Sequence, residues 1–308
     1  MELKVDFLEE KLKDYCDELE VLRNLSKTTI KNYCTTNKTF ISYLNDNNVI
    51  LSDDPEETLK KYIIYLRKEK NNSYSTINKY LTQILQFLSY LEINIDIQLP
   101  KDDTKNKKIK YLKSDEINEI LKTVPKSAIR DKTIIQTLYR TGLRVSELAN
   151  LKKYDLNLNS TDKAIAIDVR DGKGGKDRTV YIDQETLKLV NKMIYKRTRK
   201  NKQDKNDYLF VAKTGNPISS RSIQQLIKKY AIATDERLKK EKGIRTDYEN
   251  RLTPHALRHS FTIYLLNHAN KPINEVQTLL GHSNIATTQI YSKVDDETIK
   301  NSYSSIKW

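Results

Sequence analysis

Apolar residues through the first 95 positions recur at spacings of three and four. Leu8, Leu12, Tyr15, Leu19 and Leu22 make one stripe; Ile30, Tyr33, Phe40, Ile41 and Leu44 make a second. Such spacing turns one face of an α-helix toward a core. Ser26 is placed to cap the second helix. Pro55 suits the first turn of a third, with Leu59, Tyr62, Ile63 and Leu66 inward. Ser75 begins a fourth, with Ile77, Leu81, Ile84, Leu85 and Leu88 inward. Short polar turns between these stripes predict a helical bundle over residues 1–99.

Residues 100–110 hold five lysines and two aspartates and almost nothing to bury, so they read as a linker. A second domain, 111–308, begins where apolar periodicity returns. Ser114 starts a helix, and helices over 131–140 and 146–151 flank a turn at Gly142. Two β-branched runs, Ala164 to Val169 and Thr179 to Ile182, are separated by the glycine- and lysine-rich stretch 170–177, which predicts a β-hairpin. Helices follow over 183–198, 219–233, 254–268, 272–280 and 285–291. The densely charged stretch 235–251 reads as an exposed helical extension or loop with a solvated face. The fold expected is mainly α with a small β-sheet: a helical N-terminal domain and an α+β C-terminal one.

The charge balance narrows the partner. Among 308 residues, 55 Lys and Arg oppose 41 Asp and Glu, and 55 − 41 gives +14, spread along the chain. That excess favours a polyanionic partner, nucleic acid before an anionic membrane surface. No run of 18 apolar residues exists to span a membrane, and the first residues lack a secretory pattern. The expectation is a cytoplasmic chain. Cys16 and Cys34 fit neither a redox pair nor a zinc site and read as helix-face thiols in a reducing compartment.

Candidate chemistry clusters in a few short stretches. His255 and Arg258, three apart, share a helix face, with Pro254 in the first turn and Thr253 as cap. Polar groups there stand beside a helix N-terminus, which favours phosphate. Of 4 histidines, His255, His259 and His282 all fall in two motifs. His255 and His259 form a His-x-x-x-His pair, but Ala256 stands where a zincin carries Glu and no third ligand cluster is visible, so no metal is expected. The glycines at 172–175 lack a P-loop pattern, which argues against ATP. Arg144 follows the Gly142 turn and precedes Glu147; its bland reading is a surface ion pair. Lys173 at the hairpin tip is otherwise a solvated turn lysine. Tyr291, one of 19 tyrosines, stands out by lying nine residues after His282. A phenol, imidazoles and guanidiniums in series suit attack on a phosphodiester without a metal.

Six residues in their local wording resemble the active-site series of the tyrosine recombinases, the phage-integrase family. They are Arg144 in Thr-Gly-Leu-Arg-Val-Ser-Glu-Leu, Lys173 in Gly-Lys-Gly-Gly-Lys-Asp-Arg, His255 and Arg258 in His-Ala-Leu-Arg-His, His282 in Leu-Gly-His-Ser, and Tyr291 in Thr-Thr-Gln-Ile-Tyr. Residues 25–33 and 75–80 resemble helix openings of that family's core-binding domain, and the two-domain plan is most similar to Xer-type recombinases. The stretch between Arg144 and Lys173 is somewhat longer than in compact Xer proteins, and 235–251 looks like an insertion. The resemblance implies a SAM-like N-terminal domain and a catalytic domain that cuts and rejoins duplex DNA through a 3′-phosphotyrosyl intermediate on Tyr291. His255 would accept the phenol proton, Arg144 and Arg258 clamp the phosphate, Lys173 protonate the leaving 5′-oxygen and His282 hydrogen-bond a non-bridging oxygen. His259 resembles a structural member of its motif. No cofactor is implied. Partners would be double-stranded DNA and further subunits, four on two DNA sites, at the nucleoid.

Two other readings share these residues: a type IB topoisomerase-like relaxing enzyme, and a catalytically silent DNA-binding accessory protein. The cellular role is either chromosome-dimer resolution or integration and excision of a mobile element. Candidate DNA-facing residues are Lys27, Thr28, Lys31, Thr76, Asn78 and Lys79, whose alternative is ordinary solvated surface. The segment 292–308, with Ile299, Tyr303, Ile306 and Trp308, is suited to cover its own domain or a neighbouring protomer.

Overall fold

The computed structural model describes residues 4–23, 25–51, 54–101, 110–170, 177–200 and 207–281. The chain divides into two units, Met1–Lys108 and Ile109–Trp308. Residues 102–109 of the expected 100–110 linker, the hairpin tip with Lys173, and everything from His282 onward, including the helix expected over 285–291, lie outside the described residues.

In the first unit the four stripes become α1 (Val5–Val21), α2 (Lys27–Asp46), α3 (Pro55–Lys68) and α4 (Tyr74–Tyr90). Ser26 caps α2 by accepting the Thr29 N–H at 3.2 Å, and Asp54 caps α3 ahead of Pro55. The cap of α4 is Ser73 rather than Ser75; its hydroxyl accepts the Thr76 N–H at 3.3 Å. Helix α1 packs on α2, and α4 packs on α1, α2 and α3. Leu8, Leu12, Tyr15 and Leu19 meet Phe40, Leu44, Tyr62, Leu81 and Phe87 in one core. Leu22 lies just beyond α1 and is exposed, because the stripe outlasts the helix. One buried polar pair, Thr36 Oγ1 donating to Gln83 Oε1 at 2.6 Å, ties α2 to α4.

The two cysteines are not free thiols. Neighbouring turns of α1 and α2 bring Cys16 and Cys34 to a Cα separation of 6.3 Å, and they form a disulfide. Eighteen residues apart in sequence, they become neighbours only when the helices pack.

The second unit is organised around α6 (Ile129–Thr141), whose residues Thr133 to Tyr139 are buried on every side. Around it lie α5 (Ser114–Thr123), α7 (Val145–Asn150), α8 (Gln184–Lys200), α9 (Ser220–Lys242) and α11 (Pro254–Ile263). Its interior polar groups are largely spent locally. Thr133 and Thr141 donate back to the carbonyls of Ile129 and Thr137, and Gln136 donates to Thr186 at 3.1 Å. The hairpin forms as expected: β1 (Ala164–Val169) runs antiparallel to β2 (Arg178–Asp183), with Val169 opposite Arg178. Its alternate residues Ile165, Ile167, Val169, Val180 and Ile182 enter the core. A turn of π-helix (Tyr264–His268) extends α11, and α12 (Ile273–Leu280) follows.

The charged stretch 235–251 is a largely exposed helical extension, as expected, but part of it packs. Helix α9 runs through it to Lys242, stops at Gly243 in a left-handed conformation, and a short α10 (Tyr248–Arg251) folds back beside it. Leu238 and Tyr248 are buried. Arg237 pairs with Glu119 of α5 at 2.6 Å and with Glu241 at 2.7 Å, while Arg251 pairs with Glu116 at 2.8 Å. Asp235 accepts the backbone N–H groups of Tyr248 and Glu249. Arg237, Lys242 and Arg251 thus dock α9 and α10 onto α5, while Glu236, Lys239, Lys240 and Arg245 stay exposed.

Reducing Cys16–Cys34, or replacing both by serine, should lower the stability of the full chain by about 2–3 kcal/mol, the value for closing a loop of this length. Urea unfolding followed by far-UV circular dichroism, with and without dithiothreitol, checks this; coincident midpoints would mean the crosslink contributes nothing.

Candidate active site

Helix α6 delivers the first candidate segment. It ends at Gly142, whose φ of +62° is the left-handed C-cap conformation that glycine adopts without strain. A Cβ there would sit 2.5 Å from Phe261 Cδ1 and 3.0 Å from Leu280 Cδ2, so α11 and α12 close directly on the turn. Two residues on, Arg144 is the N-cap of the short α7. Its backbone N–H donates to Glu147 Oε2 and its Nη1 to Glu147 Oε1, both at 2.7 Å.

Glu147 is the hinge of the arrangement. It is 5% exposed, and a second guanidinium approaches it from β2: Arg178 donates Nη1 to Oε1 at 2.8 Å and Nη2 to Oε2 at 2.7 Å. Burial alone would raise this carboxyl, but the hydrogen bonds from Arg178 and Arg144 outweigh it and hold Glu147 down at about 2. One carboxylate therefore serves two guanidiniums, and the trio carries net positive charge. Arg144 remains about a quarter exposed, with the rest of its fork available.

Arg258 joins the remaining segments. Thr253 caps α11 by accepting the Ala256 N–H at 3.0 Å, and Pro254 opens the helix. His255 in the first turn is exposed. One turn further, Arg258 is 6% exposed and reaches across the core. Its Nη1 donates to the Gly142 carbonyl and its Nη2 to the Leu280 carbonyl at 2.7 Å. Arg178 reaches the same end of α12, donating Nε to the Leu279 carbonyl at 3.2 Å. The turn before Arg144, the helix of His255 and Arg258, the start of β2 and the last residues before His282 are thus joined in one hydrogen-bonded network. Arg144, His255 and Arg258 lie on it; Lys173, His282 and Tyr291 lie outside the described residues.

His259 sits one turn after His255 and is half-buried. Burial first, and then the neighbouring His255 and Arg258, push it down to about 4, so it is neutral at physiological pH. Among the described residues no three His, Cys, Asp or Glu converge as a metal site.

Glu147 and Arg178 were visible in the sequence only as a nearby acid and a motif residue. The spacing of Arg144 and Glu147 is a weak hint of an i,i+3 pair; nothing in the sequence reveals Arg178 as the other partner, 31 residues from Glu147. In the first unit, Lys27, Thr28, Lys31 and Lys79 are exposed. Thr76 is half-buried, its hydroxyl 3.0 Å from that of the capping Ser73. The Asn78 side-chain N–H donates to the Pro100 carbonyl at 2.8 Å, and its Oδ1 is buried.

Comparison with known proteins places this geometry. The model of the phage integrase family matches residues 110–298, and that of the phage integrase N-terminal SAM-like domain matches residues 10–94. Tyrosine recombinase XerA of Pyrococcus furiosus is 38% identical over 194 residues, 62% of this chain and 59% of that protein. Tyrosine recombinase XerC of Histophilus somni is 32% identical over 196 residues, 63% of this chain and 60% of the relative. The matched stretch thus spans about three-fifths of these relatives' length. Among solved structures, XerA recombinase aligns over 99% of this chain and 100% of its own at 26% identity and a TM-score of 0.52. XerH recombinase bound to its difH substrate aligns over 96% of this chain and 84% of its own, at 22% identity and a TM-score of 0.72, a likeness of fold. Among the described residues no helix is long and apolar enough to cross a membrane.

Two results follow from the buried groups. His259 binds its proton less readily folded than unfolded, so its contribution is complete above about pH 6.5 and is lost as pH falls toward 4. His259→Asn should remove about 1–3 kcal/mol of this acid destabilisation, read as a flatter dependence of thermal midpoint on pH in that window. Gly142→Ala should cost at least about 1 kcal/mol from the left-handed backbone alone, and more from the Phe261 contact. A thermal midpoint equal to that of the parent chain would contradict the close approach of α11.

Proposed function

This chain belongs to the phage integrase family, and from that premise we propose that it is a site-specific tyrosine recombinase that cuts and rejoins duplex DNA. The observation that carries the reading is the network around Glu147 and Arg258. It holds Arg144 and Arg258 in one site, with His255 exposed on the same helix. Guanidiniums fixed in advance are the groups needed where a phosphate gains charge in its transition state. The positive charge of the chain and the DNA-bound state of XerH, which shares the fold, support a duplex partner.

In the proposed reaction the Tyr291 oxygen attacks the scissile phosphate. Its proton passes to His255, since a free phenol, with a pKa of about 10, is a poor nucleophile at neutral pH. Arg144, Arg258 and His282 stabilise the non-bridging oxygens, and Lys173 protonates the departing 5′-oxygen. The phosphotyrosyl bond retains the energy of the broken diester, so rejoining to another 5′-hydroxyl needs no nucleotide. The assembly proposed is four subunits on two DNA sites at the nucleoid. Both chromosome-dimer resolution and movement of a mobile element use this chemistry.

A nicked suicide substrate tests the reading. The wild-type chain should become covalently joined to DNA. Tyr291→Phe should lose capture by at least about 10⁴-fold, with DNA affinity nearly unchanged. Capture that survives in Tyr291→Phe would place the nucleophile elsewhere. Supercoil relaxation without strand exchange between two sites would favour a topoisomerase-like enzyme. The captured sequence separates the two cellular roles.

A further inference from the structure

We propose that Arg178 is a positioning residue for this active site, holding Arg144 in its phosphate-receiving orientation through Glu147. The inference rests on the recombinase reading above. Arg144 is a long side chain at the start of a six-residue helix, and its side-chain hydrogen bond runs to Glu147. Without Arg178, Glu147 would be held from one side only, by the Arg144 backbone N–H at Oε2 and its Nη1 at Oε1, and the carboxylate could still tilt about that edge and carry the guanidinium with it. Arg178 removes that freedom. Its two parallel N–H bonds take both oxygens of Glu147 at 2.7 and 2.8 Å and set the plane of the carboxylate. Glu147 Oε1 then has one remaining direction in which to receive Arg144 Nη1.

The environment of Arg178 matches such a task. Its side chain is 8% exposed, so it is not itself presented to a large polyanion. Its stem lies against Gly281, where a Cβ would come within 2.7 Å of Arg178 Cδ, and its Nε binds the Leu279 carbonyl. The same side chain therefore sets both the carboxylate behind Arg144 and the end of α12, two residues before His282. It opens β2, two residues after the stretch that carries Lys173. A guanidinium is required, because an ammonium cannot bond both oxygens in a fixed plane while reaching Leu279.

The test compares wild type, Arg178→Met and Arg178→Lys on two nicked substrates at saturating DNA. One carries a natural scissile phosphate; the other carries a methylphosphonate, in which one non-bridging oxygen is replaced by methyl and the charge is gone. On the natural phosphate, and below the lowered thermal midpoint expected when buried Glu147 loses a partner, Arg178→Met should slow covalent capture by roughly 10²-fold, the scale of a misplaced catalytic group, with DNA affinity little changed. Arg178→Lys, which keeps the charge and much of the volume, should show an intermediate defect and serves if the Met variant does not fold. On the methylphosphonate, where the charge that Arg144 neutralises is absent, the defect should shrink to less than about 5-fold. Equal defects on both substrates would mean general damage and overturn the proposal, as would wild-type rates in both variants. Failure of the wild-type chain to capture either substrate would instead fault the recombinase reading, and the positioning role with it.

Discussion

The site depends on a buried carboxylate that two guanidiniums share. A charge taken out of water is costly unless it is paired and hydrogen-bonded, and Glu147 meets that condition only when α7, β2 and the turn after α6 are all in place. Two stretches of chain, Arg144 to Glu147 and Arg178, 31 residues from Glu147, must therefore arrive together. The backbone carbonyls of Gly142, Leu279 and Leu280 extend the same requirement to α11 and α12, because Arg258 and Arg178 have their donors aimed at them. The geometry that could serve a phosphate is in this sense a folding condition of the second unit.

Helix α6 makes that condition attainable. An ordinary amphipathic helix buries one stripe; this one is surrounded, and Thr133 and Thr141 hide their hydroxyls by bonding to the preceding turn. It can therefore end in the interior and release the chain at Gly142 into a space lined by Phe261 and Leu280. The left-handed residue turns the backbone so that Arg144 emerges toward the site instead of continuing the helix axis.

Much was legible in the order of residues. The periodic stripes located α1 to α4, the alternating β-branched runs located the hairpin, and Ser26, Pro55 and Thr253 marked helix starts, because each of these signals acts over a few residues. Signals that depend on who meets whom were not legible. Cys16 and Cys34 looked like isolated thiols until α1 and α2 packed. Within the largely exposed stretch 235–251, Arg237 and Arg251 could not be told from solvated charges, because their partners Glu119 and Glu116 stand more than a hundred residues earlier. Asn78 looked like a surface amide, whereas the segment that ends at Pro100 folds back to claim it.

By itself, the sequence determined the elements, the positive balance and the ordered set of Arg144, Lys173, His255, Arg258, His282 and Tyr291, since local periodicity and residue type are carried by the chain directly. Only the tertiary structure decided which groups hold Arg144 and Arg258 still. A guanidinium finds its partners by distance in space, and Arg178 is as remote from Glu147 along the chain as it is close to it in the folded core.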